Sequence, residues 1–132
     1  MPSQDIELIL LRQWASYMAL PVFITANDGV LFYYNEAAEV LLGRRYDETA
    51  VDEMPVAILA DTFETTDEQG APIPSAELPI AIALRGRRPA HRRLRIRGLD
   101  SVWRTIEVTA FPVDGAGGRQ LGAVALFWEA HR

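Results

Sequence analysis

The stretch Leu20–Gly43, LPVFITANDGVLFYYNEAAEVLLG, decides how the rest of the chain is read. Val22-Phe23-Ile24-Thr25 is a short run of strand-forming residues, and Val30-Leu31-Phe32-Tyr33-Tyr34 is a second, partly aromatic one. Between them Asn27-Asp28-Gly29 supplies turn chemistry, including a residue tolerant of positive φ, so the two runs predict a hairpin. Asn35 is placed to cap a short helix over Glu36–Leu42, and Gly43 to stop it.

Upstream, the spacing predicts a helix over about Gln4–Ala19 with Ser3 as its cap. Ile6, Ile9, Leu10, Gln13, Tyr17 and Leu20 follow the helical period, while Leu8, Leu11, Trp14 and Met18 widen the apolar surface beyond one stripe. Such a helix either lies across the domain with both flanks covered or meets the same helix of a second subunit. Glu7, Arg12 and Gln13 interrupt it, which argues against a membrane anchor or signal peptide.

Downstream, residues 44–75 have no clear period. Pro55, Gly70, Pro72 and Pro74 break the segment, and its acids interleave with Val56, Ile58, Leu59 and Phe63, predicting short helical turns and a solvated acidic loop. A helix is expected from Ser75, its cap, to Leu84, with Leu78, Ala81 and Ile82 facing inward and Gly86 as its stop. The period then changes to two. Ala90–Arg97, Val102–Val113 and Gln120–Glu129 are three strand candidates. In the first, Leu94 and Ile96 alternate with Arg93, Arg95 and Arg97; in the second, Ile106, Val108 and Ala110 alternate with Thr105, Glu107 and Thr109. The third is apolar on both faces and so needs a layer on each side.

The order is helix, two strands, short helices, three strands. This is an α+β domain with a five-stranded antiparallel sheet, helices inserted between the second and third strands, and a flanking N-terminal helix. That order, together with the quoted Leu20–Gly43 stretch, DEQGAPIPSAELPIAIALRG at Asp67–Gly86 and SVWRTIEVTAFPVDGAGGRQLGAVALFWEA at Ser101–Ala130, resembles the PAS domain family over roughly Leu20–Glu129. The resemblance implies a cup-shaped domain at 20–132 enclosing a pocket, preceded by a helix at 1–19 that joins a dimer. It also implies a sensory or protein-contact role, since family members sense small molecules, redox state or light, or mediate protein contacts.

Composition narrows these options. The 132 residues are 49% hydrophobic and 23% charged, enough for one globular core. No cysteine is present, which removes disulfides, thiolate metal sites and the cysteine–flavin adduct of photosensory family members. Haem is disfavoured because PIAIALR at Pro79–Arg85 lacks the histidine that one haem-binding branch offers there. The simplest compartment is the cytoplasm. Spacing supports neither a metal site nor a catalytic set, so no catalytic residue is expected; a small cone-like isomerase or dehydratase would need Glu107 inside a cavity.

The formal net charge is −5, and all 13 basic side chains are arginine. Residues 1–84 carry three of them against 14 acids, whereas residues 85–132 carry ten against four. The dense run Arg85–Arg97 either pairs with the acidic first half or meets an acidic protein partner; without interleaved aromatics it is a poor nucleic-acid platform. His91 is expected as a partly exposed residue opening a strand. The ligand candidates are Phe23, Phe32, Tyr34, Asn35, Ile82 and Phe111, lining an interior that either holds a small apolar or aromatic molecule non-covalently or closes on itself. For a homodimer or partner contact the candidates are Ile6, Ile9, Leu10, Trp14, Arg93 and Arg95. A ligand-free dimerisation module is the alternative role.

Overall fold

A computed structural model of the chain describes residues 6–43 and 55–130. Ser3, the expected cap of the first helix, and the first part of the aperiodic segment, residues 44–54, lie outside them. Five strands, β1 (Val22–Ala26), β2 (Leu31–Tyr34), β3 (Ala90–Arg97), β4 (Trp103–Asp114) and β5 (Gln120–Glu129), form one antiparallel sheet in the order β2-β1-β5-β4-β3. Helix α1 (Ile6–Ser16) packs on one face of it. The other face receives α2 (Glu36–Leu42), α3 (Leu59–Phe63) and α4 (Pro79–Gly86), with 3-10 turns at Val56–Ile58 and Ser75–Glu77.

The hairpin forms as its residues dictate. Gly29 takes φ +83°, and the Asp28 carboxylate accepts the Val30 N–H at 3.0 Å. The register slips between Ile24 and Thr25, which pair with Tyr33 and Leu31 and leave Phe32 as an extra residue. Phe32 and Tyr33 therefore both pack with the α1 side, while Leu31 and Tyr34 join the other core. Period-two alternation divides the remaining strands: Leu94, Ile96, Ile106, Val108, Ala110, Ala123, Ala125 and Phe127 face α2–α4, and Val22, Ile24 and Val124 face α1; Leu121 joins the α1 side out of turn, as the residue left over where the β4–β5 register slips between Val113 and Asp114.

Three helix boundaries differ from expectation. The first helix ends at Ser16, not Ala19, because Tyr17 and Met18 already donate in tighter turns to Trp14 and Ala15. The helix expected from Ser75 begins at Pro79: Leu78, held extended by the proline that follows, is the residue before it, and Pro79 occupies the first turn where its missing N–H is harmless. The Ser75 hydroxyl caps nothing there and instead accepts the Ala60 N–H at 2.8 Å. At the other end Arg87, not Gly86, takes the left-handed turn, with φ +53°, and its guanidinium pairs with Asp114 at 2.9 Å.

Candidate functional site

Between the sheet and α2–α4 lies a cavity of about 80 Å³. Leu94, Ile96, Ile106, Val108, Ala125 and Phe127 form its sheet wall, and Leu42, Leu59, Phe63, Leu78, Pro79 and Ile80 its helical wall. Its lining is almost wholly apolar. The one polar side chain among the described lining residues is Thr65, whose hydroxyl donates to the Ile73 carbonyl at 2.9 Å and so faces the cavity only as an acceptor. No described lining residue is titratable.

Both ends of α2 are anchored firmly. At its start the fully buried Asn35 accepts the N–H groups of Ala38 and Val22 at 3.1 and 3.0 Å. Its amide donates to the carbonyls of Ala15, Leu20 and Met18 at 3.0, 2.9 and 3.3 Å. One side chain thus caps α2 and gathers the end of α1 against the start of β1. At the C-terminus the Leu42 carbonyl accepts from Leu99 N–H and the Leu41 carbonyl from Arg104, which pairs with Asp100 at 2.9 Å. Arg104 and the Val102 N–H hold the Asp100 carboxyl below its ordinary value. Gly43, at φ +75°, lies so close that an added Cβ would stand 2.6 Å from Asp100 N.

Of the six sequence-derived ligand candidates, the structure brings Phe23 to the cavity. Tyr34 stacks on Phe23 in the same core, ring centroids 6.2 Å apart, without lining the void. The other four stand elsewhere. Phe32 is displaced to the α1 face by the register slip, Asn35 is consumed by five structural hydrogen bonds, and Ile82 is half-buried outside the lining because the later helix start rotates Ile80 inward instead. Phe111 pairs with Val124 on the α1 side of the sheet and is 38% exposed. The sequence missed Leu59, Phe63, Thr65 and Pro79, which come from or adjoin the segment without a period; apolar residues between its prolines were the available signal.

The opposite face is covered over β1, β2 and part of β5, where Leu8, Leu11 and Ala15 dock. Ile6, Ile9, Leu10 and Trp14 all point away, at 67, 46, 57 and 58% exposure. Over β3, β4 and the end of β5 the same face carries Phe111, Trp128, Glu107 and His91, the last bound to Glu107 at 3.0 Å. Glu107 thus stands across the sheet from the cavity, where the isomerase alternative does not place it.

The arginines are mostly paired within the chain. Arg93 meets Glu68 at 3.1 Å and Glu107 at 3.5 Å, Arg97 meets Glu64, and Arg119 meets Glu7 at 3.2 Å. The expected acidic loop is therefore not simply solvated, since Glu64 and Glu68 clamp it to β3. Arg95 lies over Trp103 at 5.0 Å, an aromatic partner that strand pairing supplies although none is near in sequence. Among the described residues no His, Cys, Asp or Glu cluster could hold a metal ion, and no helix is long and apolar enough to cross a membrane.

Neither a family model nor a curated protein matches the sequence. Solved structures do. A PAS domain of a protein from Colwellia psychrerythraea is similar at TM-score 0.62 and 19% identity, over 96% of this chain and 98% of that one. The PAS domain of Bordetella pertussis BvgS is similar at 0.61 and 12%, over 96% and 87%. A light-oxygen-voltage domain described with a flavin analogue is similar at 0.65 and 13%, over 99% and 90%. The chain has the PAS fold.

Proposed function

We propose that this chain is a non-enzymatic regulatory domain that binds a small apolar or aromatic molecule in the cavity and signals through homodimer or partner contacts made by α1. The observation that carries the reading is the apolar void of about 80 Å³ on the helical side of the sheet, in a core otherwise closed by large side chains. Pockets of this kind, concave and apolar with few polar groups, are where small molecules bind.

The groups that such folds hold elsewhere fit poorly here. A flavin would need a larger space, polar partners for its ring edge and, for an adduct, a cysteine; the described lining offers one committed hydroxyl and the sequence has no cysteine. Haem would need an axial ligand, yet His91 sits on the opposite face, engaged with Glu107.

A second reading, a ligand-free dimerisation module, is favoured by the stripe Ile6, Leu10 and Trp14 along the exposed side of α1, an apolar surface at helical spacing with the geometry of a helix–helix contact. Comparison of native and denaturing mass spectra separates the two. A dimer whose subunits each lose a small additional mass on unfolding supports the ligand reading; a bare dimer that also fails to take up small apolar probes contradicts it in favour of the second.

A further inference from the structure

Every described residue that lines the cavity is buried, so an occupant enters where a wall moves. Granted the ligand reading above, on which this step rests, the wall to move is the one held least. The sheet wall is a continuous ladder of paired strands. Helix α2 is anchored by Asn35 at one end and by Arg104 at the other. Helix α4 is tied to the sheet where Gln120 donates to the Leu84 carbonyl and Arg87 meets Asp114. The stretch Thr65–Ile73 is held differently.

It is a small hairpin bonded mainly to itself. The Ile73 N–H donates to the Thr65 carbonyl at 3.0 Å and the Thr65 hydroxyl returns a bond to the Ile73 carbonyl at 2.9 Å. Asp67 N–H donates to the Ala71 carbonyl at 2.8 Å, and the Asp67 carboxylate accepts the Gln69 and Ala71 N–H groups at 2.8 and 2.9 Å. The hairpin meets the edge of β3 through one bridge, where Thr66 and Arg95 exchange backbone hydrogen bonds of 2.9 and 2.8 Å. Antiparallel pairing there sets Glu64 opposite Arg97 and Glu68 opposite Arg93, and both close as ion pairs. These four side chains are 35–50% exposed, a setting in which ion pairs are weak and screened by salt. Glu64, at the foot of the hairpin, takes φ +49°, a left-handed conformation uncommon for a residue with a side chain. Period two turns Thr65, between Glu64 and Thr66, toward the cavity. A surface groove among Ala60, Asp61, Glu64, Pro74 and Trp103 lies outside, and Thr65 is the one described residue that lines both groove and cavity.

We propose that Thr65–Ile73 is a flap, hinged at Glu64 and Pro74 and latched to β3 by the two ion pairs, and that small molecules pass between groove and cavity when it lifts. Its internal hydrogen bonds let it move as one body. Lifting it breaks the Thr66–Arg95 bridge and the two exposed ion pairs and uncovers Thr65 and Ile73, which are 6 and 3% exposed when it is closed. The matching of acids at 64 and 68 with arginines at 97 and 93 then sets how often the port opens, not how tightly an occupant is held.

The test locks the flap. Thr66→Cys with Arg95→Cys places a disulfide across the bridge in a chain that has no other cysteine. The readout is the rate at which xenon exchanges between its free and bound NMR signals in the oxidised and the reduced protein. Oxidation should slow exchange by about tenfold or more and leave xenon affinity unchanged, because a closed port slows entry and exit alike. The two states share one sequence, so a substitution that merely loosens the fold does not produce the difference. In the cysteine-free chain Glu64→Gln with Glu68→Gln should speed exchange about fivefold, and added salt should speed the wild type more than this variant, since xenon itself is uncharged. Equal exchange in the oxidised and reduced protein overturns the inference and leaves the cavity reading standing. If xenon does not bind the wild type, the cavity reading fails and the inference with it.

Discussion

The two faces of this sheet are built from the same strands by the same alternation, yet they have opposite characters. On the cavity side β3, β4 and β5 present Leu94, Ile96, Ile106, Val108, Ala125 and Phe127 to helices that close over them. On the other side the same strands present Thr105, Glu107, Thr109, Phe111 and Trp128, and α1 covers the neighbouring strands instead. A side chain's worth therefore depends on its parity more than on its type. Phe23 and Phe111 are both strand phenylalanines, but Phe23 is 5% exposed beside the cavity and Phe111 is 38% exposed across the sheet.

This contrast can be broken most severely from the cavity side. Leu94→Ala enlarges an existing void and should cost about 2–5 kcal/mol, read as a lowered urea midpoint. Asn35→Ala strikes the junction between the faces: it removes the cap of α2 and leaves three carbonyls near α1 without a donor. A loss of about 2–4 kcal/mol is expected, with hydrogen exchange accelerated in α1 and α2 together. Exchange that rises in one helix alone would disprove the idea that Asn35 binds the two faces together.

From the outer face the expected changes in stability are smaller. Leu10→Ser with Trp14→Ser alters exposed positions and should shift monomer stability by no more than about 0.5 kcal/mol per site while lowering self-association in sedimentation. Substantial unfolding would mean that these side chains support the fold directly. The smallest effect is electrostatic. Because Arg104 and the Val102 N–H lower the Asp100 value in the folded state, its contribution is present above the ordinary carboxylate value of 3.8 and is lost as pH falls through the lowered folded value. Asp100→Asn should thus be less stable than wild type at neutral pH and equal to it once both are measured in strong acid.

Much of the fold was legible because period and punctuation agreed: the alternation in β3 and β4, the turn at Gly29 and the Asn35-to-Gly43 helix each follow from local chemistry. The candidate site was less legible. Period two separates two faces without saying which one encloses space, and the slip at Ile24 and Thr25 moved Phe32 across the sheet. Ile82 fell outside because Pro79 restarted the helix four residues late and turned Ile80 inward. Leu59, Phe63 and Thr65 come from a segment whose short turns leave no periodic trace, and Asn35 shows a polar residue whose cap role was visible while its bonds to Ala15, Met18 and Leu20 required the tertiary fold.

The measurement that tests this two-faced account most directly is a methyl spectrum of the protein under xenon pressure. Xenon is an uncharged apolar probe that enters dry cavities. The account predicts shifts at Leu94, Ile96, Ile106 and Val108, with Leu8, Val124 and Leu126 unchanged. Absence of any shift, or equal shifts on the two sides of the sheet, would contradict it.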